Sequence, residues 1–222
     1  MKVIDKEQVV IFQHGASEEL KKEVVVLETE RLYVIFRAKR QTEEHFIQQK
    51  GFCRCDAYFC RKSDEGRYAR LIEVEDVYSR YGFAGRIAFK NVSGIDNPYS
   101  DLVIETDHSC RNQGLMREAM NSMLGYLYEN DILKLDNGKE VELKSKILKG
   151  ERTSLAFHRD FGFKECDKSP RDRKDCKITK DIFNDPEKKE NRERKIQDKI
   201  NAERNLKISS ISSEIKPPEN TV

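Results

Sequence analysis

The sequence predicts an α+β domain in which helices flank a mixed, mostly antiparallel sheet. Two segments of alternating apolar and polar residues, 68–77 and 83–92, are separated by a short turn, which is typical of neighbouring antiparallel strands. An apolar strand at 101–106 is followed by a glycine and then by an amphipathic helix. Asn137-Gly138 between alternating segments is the strongest short signal for a hairpin.

The N-terminal half contains further strand-like segments. Residues 9–12 form a short apolar run, and residues 24–37 read VVVLETERLYVIFR, so both are predicted to be strands. The composition changes at 41–50, where Thr42 is suited to cap a short helix. These elements precede the antiparallel pair and extend the predicted sheet.

The C-terminal half begins with the best-defined helix. Its apolar residues recur at three- and four-residue steps from Met116 to Leu127, which places one face in the core. A second, short helix is predicted at 153–161, because Gly162 follows it as a C-terminal cap. The remaining predicted strands span 132–135, 139–148, 163–166 and 175–182.

Length and composition indicate one domain with an appendage. The chain has 222 residues and a mass of 26.0 kDa, which is room for one core of ordinary size. We expect an N-terminal extension at 1–26, a folded domain at 27–184 and a charged, partly disordered tail at 185–222. Residues 185–207 carry both signs of charge and few apolar side chains, which predicts a solvated helix. The alternative is that this helix docks on a partner.

Charge and hydropathy exclude several classes of partner. Lys and Arg number 42 against 40 Asp and Glu, a net charge of +2, so no clustered basic surface for nucleic acid is expected. No apolar run approaches the roughly 18 residues of a membrane span, and the polar start favours the cytoplasm. Cys53, Cys55 and Cys60 form a C-x-C-x4-C cluster, whereas zinc sites usually pair two C-x-x-C motifs. We therefore expect no nucleic acid, no membrane and no metal.

The most informative segment for chemistry is the turn at 111–116, which reads RNQGLM and joins the apolar strand to the strong helix. The first N–H groups of a helix have no acceptor within the helix, and with the positive end of the helix dipole they bind phosphates. Gly114 allows a ligand to approach closely. A glycine in such a turn also has a purely steric explanation, so the flanking motifs have to decide between the two.

Three motifs follow one another in the chain: ETERL at 28–32, RNQGLM at 111–116 and SLAFHRDFGF at 154–163. RNQGLM resembles Gln/Arg-x-x-Gly-x-Gly/Ala, the acyl-CoA signature of the GNAT superfamily of N-acetyltransferases. ETERL resembles the first strand of the branch that includes the ribosomal-protein alanine N-acetyltransferases, and SLAFHRDFGF resembles the superfamily's closing helix. Met116 stands where the family has a small residue, and Glu151 where it has an asparagine.

The resemblance implies an acetyl-CoA-dependent N-acetyltransferase whose sheet splays between two central strands. The backbone of Ile104, Glu105 and Thr106 would bind the pantetheine arm, and one of their N–H groups would hold the oxyanion. No metal takes part in this implied chemistry. The implied pyrophosphate-binding residues are Arg111, Asn112, Gln113, Gly114, Leu115 and Met116.

Two proton transfers accompany the direct attack of an amine on a thioester. The resemblance implies His158 as the acid, at a position where relatives carry a tyrosine, and Asp101 or Glu105 as the base. Packing is the alternative role for His158, and solvation at a strand edge is the alternative for the two carboxylates. The expected acceptor is a protein or peptide N-terminus or a small amine. A rival hypothesis is a catalytically silent acyl-CoA-binding or scaffold protein with the same fold.

Overall fold

The structure, a computed structural model, describes residues 2–3, 24–37, 42, 44, 53–61, 83–92, 97–167 and 169–214. Nine strands among these residues form one sheet. They are β1 (Lys2–Val3), β2 (Val24–Glu28), β3 (Leu32–Arg37), β4 (Cys53–Arg61), β5 (Phe83–Val92), β6 (Tyr99–Thr106), β7 (Glu142–Leu148), β8 (Lys164–Glu165) and β9 (Arg173–Ile178).

Neighbouring strands follow chain order from β1 to β7, and β9 then lies between β7 and β8. All pairs are antiparallel except β6 with β7. Alternation along the strands fixes which face is buried: in β3, Leu32, Val34 and Phe36 are buried, and the residues between them are half-buried. The predicted mixed, mostly antiparallel sheet is confirmed.

Strands β6 and β7 are parallel and pair over three positions, from Tyr99 with Glu142 to Asp101 with Lys144. Beyond Asp101 both strands continue, but in the described residues they share no further register partners, so they part. The wedge that opens between them is called the β6–β7 gap. The splay implied by the family resemblance is present at this position.

The helices are α1 (Leu115–Glu129), α2 (Arg152–Phe161), α3 (Lys180–Asn184) and α4 (Pro186–Glu214). Helix α1 packs its apolar face on the sheet at β3 and β5 and confirms the strongest predicted helix. Within the described ranges, no helix is both long and apolar enough to cross a bilayer. The buried residues of α1 include Leu115, Met116, Ala119, Met120, Met123, Leu124 and Leu127.

The region after β7 differs in part from the prediction. Gly162 ends α2 with a left-handed φ of 109°, as expected of a C-terminal glycine. The predicted strand at 175–182 is wrong in its second half, because β9 ends at Ile178. Thr179 then caps α3, since its side chain accepts a hydrogen bond from the backbone N–H of Ile182.

Other predicted elements are shorter or divided. The segment 24–37 is a hairpin rather than one strand, because the chain turns at 29–31 between β2 and β3. The Asn-Gly hairpin reduces to one bridge, between Lys134 and Glu140. Helix α4 extends into the part of the tail for which the sequence predicts disorder. The predicted elements at 9–12, 41–50 and 68–77 lie outside the described residues, apart from Thr42 and Glu44.

The first half of α4 packs into the domain instead of lying in solvent. Arg192 is 0% exposed, and its guanidinium lies 5.2 Å from the ring centre of Phe161 and 4.2 Å from that of Phe183. It also donates hydrogen bonds to the backbone oxygens of both residues. Ile200, two turns further on, is buried as well. The prediction that the folded part ends near Asn184 is therefore wrong.

Candidate functional site

A short 3-10 helix, His108–Cys110, carries the chain from β6 to the turn at 111–116. Asp107 caps it: its Oδ1 accepts a hydrogen bond from Ser109 N at 2.9 Å, and its own N–H donates to Ala84 O at 3.0 Å. The hydrogen bonds from Ser109 lower the pKa of Asp107. Cys110 is buried in the core. The start of the turn is thus held to both β5 and the core.

The turn at 111–116 presents its backbone at the N-terminus of α1. Asn112 and Gly114 have left-handed φ angles of 62° and 77°, and Gly114 begins α1 without a side-chain cap. Leu115 and Met116 bury their side chains in the core, so only their backbone N–H groups are available to a ligand. Met116 therefore does not crowd the turn, although it replaces a small residue of the family signature. This geometry is suited to a phosphate.

The ETERL motif packs against this turn through Glu118 of α1. Glu118 accepts hydrogen bonds from Thr29 Oγ1 at 2.5 Å and from Arg31 Nε at 2.8 Å. Arg31 Nη1 also donates to Gln113 O at 3.0 Å. The Arg31 and Glu118 side chains are only 9% and 4% exposed, so this is a buried ion pair. The motif was recognised in the sequence, but its pairing with Glu118 was missed.

Two further charged residues reach the same turn from distant parts of the chain. Arg61, at the end of β4, donates to the side-chain oxygen of Gln113. Glu203 of α4 has its Oε2 3.2 Å from Arg31 Nη1 and 4.0 Å from Arg61 Nη2. Sequence reasoning missed both residues, because Arg61 lies in no motif and Glu203 lies in a segment that predicts a solvated helix.

Hydrogen bonds at both ends of β6 show which backbone groups face the β6–β7 gap. Asp107 N donates to Ala84 O on the β5 side, and Pro98 O accepts from Glu142 N on the β7 side, both at 3.0 Å. Backbone directions alternate along a strand. The odd-numbered residues of β6 therefore direct their N–H and C=O groups to β5, and the even-numbered residues direct theirs to the gap.

The three residues predicted to bind the pantetheine arm do not all direct their backbone groups to the same side of β6. Ile104 and Thr106 direct their backbone groups into the gap, and their predicted role stays a prediction. Glu105 directs its backbone towards β5, where Arg86 is its register partner. The predicted backbone contact through Glu105 is wrong for this reason. Leu102, just beyond the last paired position, also faces the gap and was not singled out in the sequence.

The candidate bases Asp101 and Glu105 lie on one face of β6, roughly 13 Å apart at 3.3 Å per residue. They therefore cannot serve the same reacting amine. Asp101 lies where β6 and β7 part, and its Oδ2 is 2.5 Å from Lys146 Nζ. Its Oδ1 is buried and has no hydrogen-bond partner in the described part of the chain, whereas Glu105 is exposed. The geometry favours Asp101.

His158 is packed among aromatic rings on α2 and is 3% exposed. The ring centres of Phe157 and Phe163 lie 5.4 Å and 4.8 Å from it. Nδ1 lies 2.7 Å from Ser154 O, which can only accept, so Nδ1 carries the proton of the neutral ring. Burial lowers the pKa of His158, although the Ser154 hydrogen bond opposes this shift. Nε2 then has no proton to donate at neutral pH, which favours packing over the predicted acid role.

The residues described here contain no group of three or more His, Cys, Asp or Glu side chains arranged to hold a metal ion. Cys53, Cys55 and Cys60 all lie in β4, and the placement of their side chains is outside what the structure describes. Glu151 precedes α2 and makes no side-chain cap there. The candidate chemistry therefore centres on the β6–β7 gap and the turn at 111–116.

No protein-family model matches the chain, and no curated protein matches it. Similar solved structures include Arabidopsis thaliana Naa50 in complex with the bisubstrate analogue CoA-Ac-MVNAL, with 13% identity over 56% of this chain and 72% of that chain and a TM-score of 0.36. Ribosomal-protein-S5-alanine acetyltransferase from Vibrio fischeri has 11% identity over 71% and 98%, with a TM-score of 0.43. A variant of spermidine N-acetyltransferase SpeG from Vibrio cholerae has 11% identity over 60% and 69%, with a TM-score of 0.40.

The second and third of these structures are named as acetyltransferases. Identities of 11–13% and TM-scores below 0.5 are too low to transfer activity, substrate or residue roles. A function for this chain has to follow from its own geometry.

Proposed function

We propose that the protein is an acetyl-CoA-dependent N-acetyltransferase that acts on a primary amine. One observation carries the proposal: among the described residues β6 has no strand partner along the gap beyond Asp101, and the chain continues from β6 to the N-terminus of α1, which has no side-chain cap. An extended thioester arm can bind backbone groups as an added strand does, and a pyrophosphate can bind the N–H groups of a helix start. The backbone groups of β6 and the N–H groups at the start of α1 lie here along one continuous stretch of chain.

The residues present fit acetyl-CoA along this path. The turn at 111–116 would hold the pyrophosphate by backbone N–H groups, with Arg31 as a nearby cation. Ile104 and Thr106 would hold the pantetheine arm through their backbone. When bound, acetyl-CoA supplies an acyl group activated as a thioester.

Groups of the protein itself stabilise the oxyanion and accept the proton of the amine. A backbone N–H directed into the gap stabilises negative charge on the acyl oxygen, a contribution of roughly 10² to 10³ in rate. Asp101 takes up the proton that the attacking amine loses, through the oxygen that does not bind Lys146. Because His158 stays neutral, solvent supplies the proton for the leaving thiolate.

The acceptor remains a peptide N-terminus first and a small amine second. The face of β7 and β9 beside the gap mixes both signs of charge: Glu142 pairs with Lys144 at 3.2 Å and with Lys177 at 2.9 Å. Such a face does not select a cationic amine by charge alone, so neither acceptor class is favoured over the other by this surface. We place the reaction in the cytoplasm.

Thiol release from acetyl-CoA, measured against a panel of peptides and small amines, tests the proposal. Asp101→Asn should lower kcat by roughly 10² to 10⁴, the range for a general base, and keep the melting shift that acetyl-CoA causes. Glu105→Gln makes the same chemical change on the same strand face and should keep kcat within a few-fold. Equal losses in both variants would remove Asp101 from this role. No thiol release with any amine would contradict a transferase.

The packed state of His158 favours a second candidate, a catalytically silent acyl-CoA-binding protein. It would use the same turn and gap without supplying an acid. A ligand at a hundredfold excess over its Kd stabilises the folded state by about 2.7 kcal/mol. A melting shift of that kind with acetyl-CoA, in the absence of thiol release, would identify the silent protein.

A further inference from the structure

Helix α4 crosses the turn at 111–116. A Cβ built on Gly114 would lie 2.9 Å from Lys199 Cγ and 3.2 Å from Lys199 Cβ. The aliphatic stem of Lys199 therefore lies directly against the glycine. Lys199 thus holds α4 beside the helix start to which the proposed function assigns a pyrophosphate, and Glu203 follows one turn later.

Glu203 places a carboxylate among the cations of this turn. Its Oε2 lies 3.2 Å from Arg31 Nη1 and 4.0 Å from Arg61 Nη2. Arg31 Nη2 forms an ion pair with Glu118, but in the described residues it has no hydrogen bond. It lies 3.7 Å from the Cβ built on Gly114. The carboxylate therefore uses the same cations that a phosphate at this turn would use.

The part of α4 that carries Glu203 is held weakly. Ile200 is the last residue of α4 that is buried among those described, and of residues 201–210 only Glu203 is partly covered. Leu206 and Ile208 are 71% and 63% exposed. Ion pairs hold this part, from Glu203, which is 32% exposed, to Arg31, and from Arg204, which is 62% exposed, to Glu30. Ion pairs with such solvent-accessible members contribute little, and segments with few buried contacts open most easily. This part can leave the domain while the first half of α4 stays packed.

We propose that residues 201–214, called the distal segment of α4, are an autoinhibitory cover that competes with the pyrophosphate of acyl-CoA for the turn at 111–116. The inference rests on the proposed function. Glu203 acts as an internal anion in the closed state, and acyl-CoA binds the open state. The apparent affinity is then lowered by the fraction of chains that are closed.

Affinity for CoA, measured by equilibrium dialysis, tests the cover. Glu203→Gln removes the charge and keeps the shape, and because the Glu203 side chain is 32% exposed the affinity should rise about two- to fivefold, the range of a solvent-accessible ion pair. A chain that ends at Ala202 lacks the whole distal segment and should gain at least as much. Glu190→Gln, an exposed glutamate in the first half of the same helix, is the matched control and should leave the affinity unchanged.

Hydrogen exchange separates displacement from a purely electrostatic effect. In the parent chain, saturating CoA should speed the exchange of backbone N–H groups in the distal segment, because the helix leaves the turn. Exchange that is unchanged or slower would overturn the cover, and so would equal or weaker CoA binding by Glu203→Gln and the shortened chain. If the parent and every variant fail to bind CoA, both the proposed function and this inference are contradicted. Equal binding by all of them overturns the cover alone.

Discussion

Helix α4 places a lysine against each of two glycines of positive φ, Lys188 against Gly162 and Lys199 against Gly114, yet the two contacts differ in what holds them. A Cβ on Gly162 would lie 3.0 Å from Lys188 Cδ, and one on Gly114 would lie 2.9 Å from Lys199 Cγ. The contact at Gly162 is backed by the buried guanidinium of Arg192. The contact at Gly114 is made just before the part of α4 that is mostly exposed.

This difference shows that burial, rather than composition, decides what a charged helix does. Residues 186–200 carry ten charged side chains of both signs and residues 201–214 carry four, so composition alone would favour the first half as the one in solvent. In the first half, a cation is enclosed by two rings and two backbone oxygens, and it belongs to the core. In the second half, the charges remain in water, where salt screens them. The first half should govern stability and the second should govern access to the turn.

The largest expected effect is on stability, from shortening the chain at two places. A chain that ends at Asn184 loses Arg192 and Ile200, and its free energy of unfolding should fall by more than about 5 kcal/mol, which is the whole stability of many domains. A chain that ends at Ala202 keeps both residues and should unfold within about 0.5 kcal/mol of the parent. Urea unfolding followed by circular dichroism measures both. A stable chain ending at Asn184 would contradict the assignment of the first half to the core.

A single substitution tests the same half of the helix. Arg192→Met leaves the backbone oxygens of Phe161 and Phe183 without their donor, which should cost about 2–5 kcal/mol. Burial lowers the pKa of Arg192 to about 10, so the side chain is still a cation at neutral pH. Arg194→Met on the exposed side of the helix is the control and should stay within about 0.5 kcal/mol. Equal midpoints of urea unfolding for the two variants would show that Arg192 is not needed.

Much of the fold was predictable because it follows local periodicity. The apolar repeat from Met116 to Leu127 gave α1, and the glycine after 153–161 gave the end of α2. The end of β9 was missed although Thr179 is a good helix cap, because apolar residues continue on the other side of it. A capping residue inside an apolar run is compatible both with a continued strand and with the start of a helix, and only packing in the fold decides between them.

The candidate site was predictable only where its residues lie within one short motif. The turn around Gly114 and the strand before it were found in this way. The partners of the turn come from elsewhere: Arg31 is 82 residues from Gln113 and 172 residues from Glu203. No local pattern reports such pairs, and a buried arginine in a mixed-charge helix looks like any solvated one. The packing of His158 was open from the sequence, because helical spacing does not show what surrounds a ring.

Glycine substitutions compare the two contacts directly. Gly138→Ala measures the cost of a positive φ alone, about 1–2 kcal/mol, because a Cβ there meets open space. Gly162→Ala should cost more, since the hydrogen bond from Lys188 Nζ to Gly162 O at 3.2 Å holds that lysine in place and Arg192 Nη1 lies 3.5 Å from the new Cβ. Gly114→Ala should also cost more than Gly138→Ala, because the new Cβ meets Lys199 at Cγ and Cβ, next to the helix backbone. It should cost less than Gly162→Ala, because α4 is exposed after Ile200 and can shift. Urea unfolding of the three variants gives the comparison. A larger loss at Gly114 than at Gly162 would show that Lys199 is held more rigidly than Lys188.

The smallest expected effect is the pH dependence that His158 adds to stability. Burial holds the pKa of His158 below its ordinary value of 6.5, so the unfolded chain binds a proton at a higher pH than the folded chain does. Above about pH 6.5 the imidazole is neutral in both states and adds no pH dependence. As the pH falls below that value, the unfolded state gains the proton first, and stability is lost until the pKa of the folded state is reached.

His158→Phe should therefore flatten the fall in melting temperature between about pH 7 and about pH 5.5, because phenylalanine can fill the aromatic site and has no proton to bind. His108→Gln, which removes an exposed imidazole, is the matched control. A parent slope that survives in His158→Phe would mean that the ring reaches solvent or a charged partner in solution. In that case Nε2 could receive and return a proton, and the predicted acid role would regain its physical basis.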